Sequence, residues 1–128
     1  MARRFEDLET WQLGRQLKIE IYRLIERPGI AKNFKLRDQL SDAASSVCAN
    51  IAEGFGRRSH PDFARFLGIS FASLKEIENH LIDVVDRGYA TDSELVSIRE
   101  LCRRLGAALA SFIAYLNRTP TPKFPGRQ

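Results

Sequence analysis

Cysteine is scarce in this chain. Cys48 and Cys102 are the only two among 128 residues, and each falls inside an apolar helical pattern, with no Cys-x-x-Cys pair and no Cys/His cluster. That excludes a disulfide framework and a structural zinc site, and leaves two reduced thiols buried in a core or contact, as expected of a cytoplasmic protein. Long hydrophobic runs are lacking as well. The longest uncharged apolar run, residues 105–117, is short of the ~20 residues that a membrane span needs. The N-terminus passes directly into Arg3, Arg4, Glu6 and Asp7 without an apolar leader segment, so a soluble, unexported protein with no membrane partner is expected.

The sequence also lacks the parts of common enzymes. No Gly-x-x-x-x-Gly-Lys, Gly-x-Gly-x-x-Gly or Gly-x-Ser-x-Gly occurs, so nucleotide hydrolysis, dinucleotide chemistry and the serine-hydrolase elbow have no support. A di-iron bundle needs two Glu-x-x-His sets on inward faces, and neither His60 nor His80 has a Glu three residues before it. His80 has Glu76 four residues before and Asp83 three after, which suits surface ion pairs. No metal, no cofactor and no catalytic residue are expected.

Charge of one sign is missing from the body of the chain. The net charge of +4 and the isoelectric point near 9.4 invite a polyanion partner. Arg3, Arg4, Lys123 and Arg127 carry the whole surplus, and residues 5–118 hold as many basic as acidic side chains.

What is present is helical periodicity. Asp7 can cap a first helix over about 8–27, with Leu13, Leu17, Ile21, Leu24 and Ile25 as its core stripe and Pro28-Gly29 as its stop. Asn33 can cap a second, over about 34–55, in which Leu36, Leu40, Ala44, Val47 and Ile51 share one face until Gly54 and Gly56 end it. Ser59-His60-Pro61-Asp62 reads as the start of a third, over about 60–87, lined by Phe63, Phe66, Leu67, Ser70, Leu74, Ile77, Leu81 and Val85. Thr91-Asp92-Ser93-Glu94 is a capping box for a fourth, over about 92–118, with Leu95, Ile98, Leu101, Cys102, Leu105, Leu109, Phe112 and Leu116 inside. Pro120 and Pro122 end it, and a disordered tail over 119–128 is expected. Four helices with short connections and no strand pattern predict one all-α domain, an antiparallel up-down four-helix bundle.

These helices carry more apolar surface than one bundle core uses. Leu8, Trp11, Ile19 and Tyr22 form a second stripe on the first helix. Phe71 and Ile82 flank the third. Ala107, Ala110 and Ala114, like Ser45, Ala49 and Ala52, put small residues where long charged ones are usual. One reading is that aromatics wrap the rim of a small core and alanine simply favours helix. The other is a homo-oligomer whose copies cover this surface with one another.

Trp11, Arg15, Lys18 and Tyr22, at i, i+4, i+7 and i+11, interleave aromatic and basic groups on one face that could stack bases and hold phosphates. The alternative is that the aromatics bury at a subunit contact while the cations lay their stems over them. Arg57 and Arg58, before the third helix, could hold an anion or be solvated. Asn50 and Glu53 stand one turn apart, either as a polar catalytic pair or, in the plainer reading, bonded to turn backbone beside Gly54 and Gly56.

Phe5-Glu6-Asp7-Leu8-Glu9-Thr10-Trp11, Ala49-Asn50-Ile51-Ala52-Glu53-Gly54-Phe55-Gly56-Arg57 with Arg58-Ser59, Phe63-x-x-Phe66-Leu67 and Ser73-Leu74-Lys75-Glu76-Ile77-Glu78 together cover nearly the whole chain apart from the tails. In these segments the chain resembles the bacterial four-helix bundle protein family. That family includes proteins encoded in intervening sequences of large-subunit ribosomal RNA genes, and is related to the accessory variability determinant of diversity-generating retroelements. The resemblance implies a cytosolic homo-oligomer, a ring of five bundles, with no established activity in most members. For the retroelement relatives it implies a basic surface that engages nucleic acid and a reverse transcriptase. This chain has Val47-Cys48 where the family often has Ile-Pro, so no proline kink is implied for its second helix. The function expected is a non-enzymatic homo-oligomeric bundle that binds RNA or DNA through Arg15, Lys18, Arg57, Arg58 and the tails. The alternative is a scaffold that receives a protein partner without nucleic acid.

Overall fold

Leu24 is the last residue of the first helix because Pro28, four residues on, would drive its ring into the Leu24 carbonyl of a continuing helix. The computed structural model, which describes residues 2–123, therefore ends α1 (Glu9–Leu24) three residues earlier than expected. Arg27 is extended, as a residue before proline should be, and Pro28 opens a further short helix, α2 (Pro28–Lys32), where its missing N–H is no loss. Pro28-Gly29 is a restart rather than a stop.

Three long helices follow: α3 (Phe34–Phe55), α4 (His60–Asp86) and α5 (Val96–Arg118). Their caps follow the sequence. Asn33 Oδ1 accepts the Leu36 N–H at 3.2 Å, and Ser59 Oγ accepts the Asp62 N–H at 3.2 Å. Thr91 and Glu94 close their box, the Glu94 N–H reaching Thr91 Oγ1 at 3.3 Å and the Thr91 N–H reaching Glu94 Oε1 at 2.9 Å. That box opens a 3-10 turn, Ser93–Leu95, which leads into α5. Gly88, at φ 75°, supplies the left-handed residue that ends α4.

Asp7 departs from expectation. Its Oδ2 accepts the Arg3 and Arg4 N–H groups at 3.3 and 3.2 Å and so closes a 3-10 turn, Phe5–Asp7, while α1 starts after an extended Leu8 with no side-chain cap.

Cross-helix contacts set the topology. Gly14 of α1 lies against Val47, Cys48 and Ile51 of α3, and Tyr22 against Ser45, so the two run antiparallel. Ser46 meets Ser73, and Gly54 meets Phe63 and Phe66, which makes α3 and α4 antiparallel too. Phe63 stacks edge-on with Phe112, and Gly106 faces Leu74, so α5 returns along α4. Arranged up-down-up-down, the four long helices enclose one core, with Leu17, Ile21, Leu40, Leu67, Leu74, Ile77, Leu105 and Leu109 fully buried. Val84 rather than Val85 completes the α4 stripe. Cys48 and Cys102 are buried and free.

The tail is ordered further than expected. His60 Nδ1 donates to the Thr119 carbonyl at 2.7 Å, and the His60 N–H donates to Thr121 Oγ1 at 2.8 Å, which straps 119–121 to the start of α4. The rest of the expected disordered segment, 124–128, lies outside the described residues.

Candidate nucleic-acid interface

The seam between α1 and α3 is where the structure brings the expected cations and aromatics together. Gly14 permits the two helices to approach: a Cβ there would stand 3.1 Å from Val47 Cγ1 and 3.3 Å from Cys48 Sγ. The aromatics occupy the two ends of one bank. Trp11 is half-buried, its indole edge-on to Phe5 at 5.3 Å between ring centres, and Tyr22 is exposed with its hydroxyl 2.8 Å from Ser45 Oγ. Arg15 is exposed and Lys18 half-buried between them, and neither makes an ion pair with a described residue. The other bank is low. Ser45 and Ala49 are exposed and Ser41 and Ala52 half-buried, so α3 offers a strip without long side chains.

Both cations act on Cys48. Burial pushes its thiol up, and the Lys18 and Arg15 charges oppose that rise. Two positive charges therefore act on one buried sulfur of α3. A raised thiol pKa also makes Cys48 a poor nucleophile.

Because α3 runs from Ser45 beside Tyr22 to Ile51 beside Gly14, Arg57 and Arg58 follow at the Trp11 end of the seam. They differ in availability. Arg57 Nη2 holds Glu53 Oε2 at 3.2 Å, Nε faces Asp62 Oδ2 at 3.6 Å, and the guanidinium lies over Phe66 at 4.5 Å, with Arg65 over the same ring at 4.4 Å. Those contacts hold the guanidinium in place as part of the α3–α4 corner. Arg58 is exposed and unpaired among the described residues.

Asn50 and Glu53 do not form a pair. Asn50 Nδ2 donates back to the Ser46 carbonyl at 2.8 Å and to Ser46 Oγ at 3.0 Å, and Ser46 Oγ lies 2.8 Å from Ser73 Oγ. Glu53 is engaged with Arg57. Gly54 has a packing role, since a Cβ there would stand 2.8 Å from Phe63 Cδ1, whereas Gly56 is the exposed cap residue of α3. Among the described residues no group of three or more His, Cys, Asp or Glu could hold a metal ion, and no helix is long and apolar enough to cross a membrane.

The apolar excess is only partly absorbed within the subunit. Leu8, Trp11 and Phe71 pack against the core from its rim, Trp11 covered by the Phe5 turn and Phe71 by Lys75 Nζ at 5.0 Å. Ile19 is half-buried beside Arg23 and Val96. Tyr22 and Ile82 stay exposed, as do four residues outside the expected set, Phe34, Ile69, Val96 and Tyr115. Thr10 is a further residue with no counterpart in the sequence expectations. It stands three residues before Leu13 and seven before Leu17, a polar residue on an apolar stripe, and its buried Oγ1 has no partner.

Comparison with known proteins adds a family. A family model described as 23S rRNA-intervening sequence protein matches residues 6–111. No curated protein matches the chain.

Proposed function

Because the chain belongs to the 23S rRNA-intervening sequence protein family, we propose that it is a non-enzymatic, self-associating cytoplasmic bundle that binds RNA or DNA along its α1–α3 seam. One observation carries this reading: Arg15 and Lys18, without ion-pair partners among the described residues, stand between the aromatic rings of Trp11 and Tyr22 over the low bank of α3. Cations bind phosphates and release counterions, aromatic faces stack on bases, and neither contact reads sequence. Arg58 and the basic tails extend the field, and Arg57 adds charge without a free guanidinium.

Self-association would multiply these modest contacts. The exposed Ile82 and the half-buried Ile19 support it, being large apolar groups left at the surface of one subunit. By family resemblance the assembly is a ring of five.

The test is a fluorescence-anisotropy titration of labelled single-stranded RNA and duplex DNA at about 50 and about 200 mM salt, with wild type and Arg15→Glu/Lys18→Glu. Affinity is expected to fall steeply with salt, and the double variant to bind weakly with a shallower slope, by about one to two ions. Binding that ignores both salt and charge reversal would refute it. The scaffold reading rests on the exposure of Phe34 and Val96 at 64% each; it requires a protein partner whose binding persists in high salt.

A further inference from the structure

On the opposite flank of α1, the seam with α5 stands open. One groove of about 550 Å³ is lined by Glu9, Thr10, Leu13, Arg104, Ala107 and Tyr115, among others. A second of about 600 Å³ is lined by Gln16, Ile19, Arg23, Val96, Leu101 and Arg104. Arg104 belongs to both, so they form one trench that follows α5 from Val96 to Tyr115, about 29 Å at the helical rise and long enough to seat a helix.

The trench is a poor solvent face. Ala107 and Ser111 are exposed and Ala108 half-buried along it, giving a floor without long side chains. Thr10 lies beneath it, 4% exposed, and its buried Oγ1 has no hydrogen-bond partner among the described residues. Two charges are also unmatched among the described residues, Arg104 at the middle and Glu9 at one end, whereas Arg103 holds Glu100 and Arg23 holds Glu20.

We infer that this trench receives the outer face of α4 from a second copy of the chain. This rests on the self-association proposed above and gives it an address. The outer face of α4 presents Arg65, Gly68, Ile69, Ala72 and Glu76, all exposed. Its centre is small: nothing lies within 4 Å of a Cβ built on Gly68, and Ile69 is 40% exposed. A helix with that centre can lie close to an alanine floor, as small residues permit between helices.

The end charges complement the trench. Glu76 is unpaired among the described residues and meets Arg104. Arg65, about 16 Å away along the helix, meets Glu9. Its Nε and Nη2 are used on Asp62 within the subunit, at 3.0 and 2.9 Å, which leaves the Nη1 donors free. The two surfaces differ, so the contact is heterologous and propagates head to tail into a closed ring or a filament. It also leaves the Arg15–Lys18 seam uncovered.

The experiment is light scattering on size-separated full-length protein across a concentration series, for wild type, Arg104→Glu, Glu76→Arg and the Arg104→Glu/Glu76→Arg double variant, with helicity checked by circular dichroism. Each charge reversal is expected to raise the dissociation midpoint at least tenfold, and the double variant to restore it. A wild-type oligomer indifferent to both single reversals, or singles that dissociate without rescue in the double variant, would overturn the docking and leave self-association standing. A wild type that stays a single chain at every concentration would overturn both. Glu76 lies on an exposed face, so its reversal tests the contact even if Arg104→Glu fails to fold.

Discussion

The Tyr22 and Ser45 hydroxyls lie 2.8 Å apart, tying the outer edges of α1 and α3 at one end of the cationic seam. That bond is exposed and adds little to stability, but it holds the tyrosine ring over the strip where a base would lie. Tyr22→Phe should therefore leave stability within about 1 kcal/mol of wild type and retain nucleic-acid binding. Tyr22→Ala should lose about 1 to 3 kcal/mol of affinity for each base stacked on the ring. Anisotropy titrations that rank Tyr22→Ala with wild type would remove stacking from the proposal.

Gly54 sits where α3 and α4 converge on the corner that holds Arg57. A methyl group placed there would stand 2.8 Å from Phe63 Cδ1 and 3.0 Å from Phe66 Cβ. Phe63 is itself wedged against Phe112 and Phe55, with ring centres 5.0 and 6.3 Å away, so it has little room to retreat. Gly54→Ala is expected to destabilise the fold by about 1 to 3 kcal/mol through overpacking. Urea unfolding followed by circular dichroism measures it. A midpoint equal to that of wild type would mean that the corner is looser than these distances.

What the sequence disclosed, and what it withheld, follows from range. The stripes of Leu13, Leu17 and Ile21, of Leu40, Val47 and Ile51, and of Leu74, Ile77 and Leu81 were legible because a buried helix face repeats within a few residues. Caps at Asn33 and Ser59 were legible for the same reason. The end of α1 was misplaced by three residues because proline acts on the carbonyl four positions back. The seam was foreseen as a stripe on one helix, but its second bank, Ser45 and Ala49, depends on which helix lies alongside. Arg57 reads from the sequence as holding an anion or being solvated, yet Asp62 and Phe66 reach it from α4. The α1–α5 trench could not be read at all, since it is a distance between helices. Ala107, a small residue off the core stripe of α5, was its trace in the sequence.

The strap between His60 and Thr119 joins residues far apart in sequence, and it gives the C-terminal segment a measurable state. Thr119 offers only a carbonyl, so His60 Nδ1 must carry the proton in that 2.7 Å bond. His60→Phe keeps the ring bulk beside Tyr115 and removes the donor. It is expected to cost about 1 to 2 kcal/mol and to speed tryptic cleavage after Arg118 several-fold. Equal cleavage rates would show that the strap does not hold the segment in solution.

Cys102 gives the fold an alkaline limit. Its thiol is pushed up to about 12, first by burial and then by the charge of Glu78, whereas in the unfolded chain a thiol titrates at about 8.5. Between those values the folded protein keeps a proton that the unfolded chain releases. The contribution is therefore complete below the unfolded pKa, and stability falls as pH rises through the interval toward the folded value. Urea midpoints measured from about pH 8 to about pH 10.5 should drop for wild type and drop less steeply for Cys102→Ala, whose own lower stability shifts the curve without setting its slope. The comparison of slopes matters because every other ionisable group is common to the two proteins. Identical slopes would show that Cys102 is not protected as its burial implies, and rapid reaction of the native protein with a thiol reagent at neutral pH would lead to the same conclusion by an independent route.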